Sequence, residues 1–307
     1  MLKSQNITNI QPCCGQIKID RMIQCETDLL DYIKHLQSKK ISSIALDMEG
    51  DQGRIRYKYS ISIFQCYDGF EKVIIDVLKI KNKEVLHQLL TCENITKVMF
   101  SPANDIFMTQ NTLGCTITPI RDIAIGQKLL NLPVNLSDYL NIDKDEKDLF
   151  QRANWLRRPI NPHLLDYAIK DVLELLKIDA DLSDKLKALN LYTAYIDGSD
   201  QLSKRNFVVN QLHLYKEKFP GYKRLKPEQK LLAAKIWIFR EQLGKYFDCP
   251  VGYLLSKQTM AKIINYPENI IELLVREVNR QRKGKKISID LIRKIYLRQT
   301  ASPKKMN

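Results

Sequence analysis

Ile41 to Met48 is a short, largely apolar run that reads as a buried strand, and two acids close it: Ile44-Ala45-Leu46-Asp47-Met48-Glu49. Its neighbours set the class. Tyr59 to Tyr67 and Lys72 to Leu78 read as two further strands with a turn at Asp68-Gly69, a meander of three strands. Thr27 to Lys39 carries Leu29, Leu30, Ile33 and Leu36 on one helical face. Beyond the meander the patterns alternate: helix over Lys83 to Leu90, strand over Lys97 to Phe100, helix over Asn104 to Leu113, strand over Thr116 to Ile120. They are then helical over Ala124 to Leu130, Ser137 to Leu140 and Pro162 to Leu189, with Pro162 suited to a first turn. The expectation is an α/β fold, a mixed sheet flanked by helices.

No strand pattern follows Pro227. Helices are predicted over 227–245, 250–254, 256–264, 268–279 and 287–298, making a second, all-α domain. A polar stretch with Gly198, Pro220 and Gly221 marks the boundary. The predicted division is an arm over 1–20, an α/β domain over 21–195, a linker over 196–224 and a helical domain over 225–300. Charge divides the chain in the same place. Residues 1–200 carry 25 Lys+Arg against 27 Asp+Glu, and residues 201–307 carry 24 against 8. A basic domain of this kind suggests nucleic acid, and solubility is the plain alternative.

No run of about 18 apolar residues is present, so no transmembrane helix is expected. Met1 to Gln16 lacks the apolar segment of a secretory signal, and a cytoplasmic protein is expected. The seven cysteines (Cys13, Cys14, Cys25, Cys66, Cys92, Cys115, Cys249) include no CxxC pair. Neither a disulfide scaffold nor a zinc site is expected from them.

Three acidic stretches carry the chemistry. Asp47 and Glu49 stand two apart on a strand, hence on one side of it. Side by side they repel, unless a cation sits between them. A strand end emerging into solvent explains one such pair equally well. Asp105 lies near a helix start after the strand Lys97-Val98-Met99-Phe100, where the helix dipole alone would favour it. Tyr167 and Asp171 share a helical face at i and i+4, which an amphipathic helix edge would also give.

Taken in order, these stretches resemble the three exonuclease motifs of the DEDD superfamily. The run Trp155-Leu156-Arg157-Arg158-Pro159, with Leu165 and Tyr167-Ala168 ahead of Asp171-Val172, is similar to the ribonuclease D branch. The resemblance covers roughly residues 22–190. It implies an RNase H-like fold and hydrolysis with two divalent metal ions, Mg²⁺ or Mn²⁺, held by Asp47, Glu49, Asp105 and Asp171. One ion would help generate hydroxide and the other would stabilise the leaving 3′ oxygen. Tyr167 would orient or help deprotonate the attacking water. Relatives that use histidine here place it five residues before the last acid, where this chain has Asp166; Tyr167 stands four before, as the tyrosine type requires. None of His35, His87, His163 and His213 is placed for the role. Two departures stand out. Phe100 or Ser101 replaces a histidine common near the strand end, and Asp143-Lys144 comes early relative to Trp155.

Leu225 to Leu297 resembles an HRDC domain, through Leu231, Ala234, Trp237, Arg240 and Glu241, then Cys249-Pro250, Tyr253-Leu254-Leu255, Met260, Ile263-Ile264, Pro267, Ile271 and Leu273-Leu274. Trp237 reads as core rather than as a stacking platform. Arg280, Arg282, Lys283, Lys285 and Lys286 form the candidate phosphate-contacting cluster. Tyr215, Tyr222, Lys223 and Arg224 could add stacking on a single strand. The resulting expectation is a monomeric 3′→5′ exonuclease acting on single-stranded RNA 3′ ends, such as tRNA precursors or decaying RNA, with no membrane partner. A DNA exonuclease and a non-catalytic nucleic-acid adaptor are the alternatives.

Overall fold

The structure, a computed structural model, describes residues 17–136, 144–281 and 286–297. The chain divides into two compact units. Of the described residues, one takes those up to Gly50 together with those from Ile61 to Phe207; the other takes Asp51–Ser60 and those from Val208 onward.

The first unit is built on a six-stranded sheet in the order β1-β4-β3-β2-β5-β6. Its strands are β1 (Arg21–Ile23), β2 (Ser43–Asp51), β3 (Ser60–Tyr67), β4 (Lys72–Asp76), β5 (Thr96–Met99) and β6 (Ile120–Asp122). β2, β5 and β6 run parallel, β1 is parallel to β4, and β3 is antiparallel to β4 with Phe64 opposite Ile75. The sheet is therefore mixed, as expected. Its helices are α1 (Glu26–Ser38), α2 (Lys83–Leu90), α3 (Ala103–Thr112), α4 (Ile123–Leu129), α5 (Lys144–Gln151), α6 (Pro162–Leu173), α7 (Leu175–Ala188) and α8 (Tyr192–Ser203). Ile44, Ala45 and Leu46 of β2 and Ile61, Ile63, Phe64 and Cys66 of β3 are buried. That burial is why these strands read as near-continuous apolar runs.

Several elements differ from expectation. The strand predicted over 116–120 forms at Ile120–Asp122 instead. Pro119 has no N–H to give a ladder, and the carbonyl of Thr118 is taken by the amino group of buried Lys97. The helix predicted over 162–189 is two helices, meeting at Glu174. The helix predicted over 137–140 lies outside the described residues. Most of the predicted linker is ordered: α8 runs to Ser203, and the division falls after Phe207. The buried face of α8 is Tyr195, Ser199 and Ser203, too polar to register as an apolar stripe. Gly198 lets α8 approach α4, since a Cβ there would stand 3.2 Å from the Ile125 side chain.

The second unit contains α9 (Tyr215–Lys218), α10 (Pro227–Phe247), α11 (Lys257–Ile263), α12 (Ile270–Gln281) and α13 (Ile289–Leu297). Pro227 opens α10, and Phe219, Ile236, Trp237, Phe239, Leu243, Leu274 and Ile292 make the core. Leu231, taken with the core-pattern residues, is 55% exposed. The β2–β3 connection, Asp51–Ser60, also belongs to this unit rather than to the α/β domain. Buried Asp51 folds the connection by accepting the N–H groups of Arg54, Ile55 and Arg56 at 2.9–3.2 Å. Gly244 makes room for Tyr57, since a Cβ there would lie 2.6 Å from the Tyr57 ring. Among the described residues no helix is long and apolar enough to cross a membrane.

Candidate active site

Asp47 and Glu49 lie in the second half of β2, both half-buried, alternating with buried Leu46 and Met48. The alternation holds both acids on one side of the strand. Gln65, on neighbouring β3, donates its Nε2 hydrogen to Asp47 Oδ2 at 2.8 Å. It is fully buried, and its own Oε1 has no hydrogen-bond partner among the described residues. Gln65 was not singled out from the sequence, although a lone amide inside Ile61-Ser62-Ile63-Phe64-Gln65-Cys66 was a visible signal.

Asp105 enters from the first turn of α3. The junction with β5 is sharp: Ser101 has φ 54°, and its N–H donates to Asp122 Oδ1 at 2.8 Å. The same Asp122 oxygen caps α4 through the Ala124 N–H at 3.0 Å. One buried carboxylate thus fixes both turns. Burial first, and then the charge of Asp47, push the Asp105 carboxyl well above the usual carboxylate range.

Tyr167 and Asp171 come from α6, whose start is fixed by Asn161 accepting the His163 N–H at 2.9 Å and by Pro162 in the first turn. The Tyr167 hydroxyl is hydrogen-bonded to the Asp171 carboxylate. Burial, then the negative charges of Asp171, Glu49 and Asp47, raise its pKa beyond the ordinary tyrosine range. Asp166 accepts the backbone N–H of Ile17 at 3.2 Å, which is a structural use.

The Trp155–Pro159 run supports this helix from outside. Arg158 grips Asp76 with two hydrogen bonds, 2.7 and 2.8 Å. The buried Trp155 indole donates to the Phe150 carbonyl at 3.1 Å, and the Phe150 ring packs on Tyr167 with centroids 4.9 Å apart. Asp143 lies outside the described residues.

Asp171, Glu49 and Asp47 therefore lie near the Tyr167 hydroxyl and Asp105 lies near Asp47, brought there by β2, α3 and α6. The donors are all oxygen, the set preferred by hard divalent cations. The strain that Asp47 places on Asp105 is of the kind a bound cation relieves.

In the second unit, Trp237 is 2% exposed and donates to the Gln211 carbonyl at 2.8 Å, with Arg240 4.9 Å above its ring. It is core, as expected. Arg280 is exposed but paired with Glu277 at 2.6 Å, and Lys286 is exposed. Arg282, Lys283 and Lys285 lie outside the described residues.

The family model described as 3′-5′ exonuclease matches residues 21–187. A ribonuclease D of Musicola paradisiaca is 24% identical over 245 residues, covering 77% of this chain and 64% of that protein. The exosome complex exonuclease RRP6 of Saccharomyces cerevisiae is 24% identical over 271 residues, covering 81% of this chain and 36% of that protein. The chain thus spans less than two thirds of the length of these relatives. Among solved structures, Escherichia coli RNase D superposes with a TM-score of 0.73 at 20% identity, covering 94% of this chain and 77% of that one. At that identity the likeness concerns the fold.

Proposed function

We propose, from the premise that the chain belongs to the 3′-5′ exonuclease family and is similar to ribonuclease D, that it removes nucleotides one at a time from RNA 3′ ends, tRNA precursors among them. The observation that carries this proposal is that Asp47, Glu49 and Asp171 lie near the Tyr167 hydroxyl, with Asp105 beside Asp47. Those four carboxylates would hold two divalent ions, Mg²⁺ or Mn²⁺. Bound there, the ions would lower the pKa of a coordinated water and would offset the negative charge that develops on the leaving 3′ oxygen.

The protein's own groups do the rest. Gln65 fixes the rotamer of Asp47. Asp122 fixes the turn that presents Asp105. Tyr167 holds Asp171 and orients or helps deprotonate the attacking water. Phe150, anchored through Trp155 and Arg158, limits the movement of the Tyr167 ring. The helical unit, read as HRDC-like, would hold the strand electrostatically, with Lys286 and the neighbouring basic residues as contacts. Arg280 is the weaker contributor, because Glu277 already neutralises it.

The test is degradation of a 5′-labelled single-stranded RNA, with matched DNA alongside, in Mg²⁺ or Mn²⁺. A ladder shortening from the 3′ end is expected. Chelator should abolish it, and Asp47→Asn should slow it by at least about 10²–10³-fold. Equal cleavage of DNA would make the chain a general 3′→5′ exonuclease. Binding without cleavage in either metal would leave it an adaptor.

A further inference from the structure

A second group of ligating side chains lies elsewhere in the first unit. His35 on α1 and Asp68 and Glu71 in the β3–β4 turn each present one ligand atom, and the three atoms lie within 4.8 Å of one another. Asp68 is three residues beyond Gln65, about 10 Å farther along the strand.

The turn itself shapes the group. Asp68 Oδ1 accepts the N–H groups of Phe70 and Glu71 at 2.9 and 2.7 Å, and Gly69 takes φ 93° so that the chain can double back. Asp68 is 4% exposed, and its other oxygen, Oδ2, has no hydrogen-bond partner among the described residues. Tyr32 precedes His35 by three residues on the same face of α1. Its hydroxyl is also buried without a hydrogen-bond partner, and burial followed by the charges of Cys66, Asp68 and Glu71 raises its pKa. Arg21 lies over the Tyr32 ring and pairs with Glu71 at 3.0 Å. One guanidinium offsets one carboxylate and leaves Asp68 uncompensated.

A buried carboxylate oxygen without a donor or cation is destabilising by about 1–3 kcal/mol or more. Buried charges in stable proteins are paired or coordinate metals. One imidazole nitrogen and two carboxylate oxygens suit zinc, with a water completing four ligands. We propose that His35, Asp68 and Glu71 form a second metal site, for a single zinc-class divalent ion that ties α1 to the β3–β4 turn. Cysteine spacing could not reveal it, since its ligands come from one helix and one distant turn. It does not depend on the nuclease assignment.

The experiment uses the full chain carrying Asp47→Asn, Glu49→Gln and Asp171→Asn, so that the first site no longer contributes. Zn²⁺ alone is titrated against a competing chelator dye, with the thermal midpoint followed in parallel. About one equivalent of bound Zn²⁺ and a raised midpoint are expected. Adding His35→Gln should weaken binding by at least about tenfold while leaving the metal-free midpoint in place. If the triple variant does not fold, His35→Gln is compared with the unmodified chain and should bind one equivalent fewer. No Zn²⁺ bound beyond the first site, or equal binding with and without His35, would overturn the proposal.

Discussion

Gln65 donates a hydrogen bond to Asp47 from the neighbouring strand. Gln65→Leu keeps the strand and nearly the volume, and it removes an amide whose oxygen is already buried without a partner. Little stability should be lost, while the Mg²⁺ concentration needed for half-maximal activity should rise about 10–100-fold. An unchanged Mg²⁺ midpoint would separate Gln65 from the site. Tyr167→Phe keeps the ring against Phe150 and removes only the hydroxyl. We expect kcat to fall about 10²-fold or more with metal affinity little changed, read by single-turnover kinetics beside a metal titration. Neither the bond to Gln65 nor the raised pKa of Tyr167 was legible in the sequence. Both depend on what stands across the sheet and on how deeply it is buried.

At the scale of elements, two packing devices make clear predictions. Gly198→Val would drive a branched side chain into Ile125, already 3.2 Å from a single added carbon. A loss of about 1–3 kcal/mol is expected in urea denaturation. Lys97, wholly buried at the start of β5, donates to the carbonyls of Cys92, Ile95 and Thr118 at 3.0, 2.7 and 2.5 Å. Burial brings its pKa from 10.5 down to about 7. Between those values the unfolded chain binds a proton that the folded chain does not. Stability should therefore rise with pH across that window, by up to about 1.4 kcal/mol per unit, and be lost again as pH falls toward 7. Lys97→Met should flatten that slope in denaturation curves taken from pH 6 to 10.

For the molecule as a whole, charge is unevenly divided along the chain. The nearly neutral part carries the carboxylates, and the part from residue 201 onward carries 24 basic residues against 8 acidic ones. RNA affinity should fall steeply with salt. Replacing Lys286, Lys285 and Lys283 by alanine should reduce the slope of log K against log salt by about 0.7 for each lost phosphate contact, without changing sequence preference. Fluorescence anisotropy over a salt series reads this directly. A slope that does not move would place the contact elsewhere on the unit.

The amino-acid sequence by itself determined the mixed α/β class of the first part and the helical class of the second, which are written in local periodicity: two for strands, 3.6 for helices. The four acids and Tyr167 were expected from the resemblance of their motifs in order, not from periodicity. Tertiary structure alone decided the rest. It assigned Asp51–Ser60 to the helical unit, because a polar hairpin connection carries no periodicity that names its packing partner. It made α8 part of the first unit, because a face of tyrosine, serine and glycine buries without looking apolar. It also placed Gln65 on Asp47 and Asp122 under Ser101, because contacts between residues distant in the chain exist only once the sheet has brought their strands together.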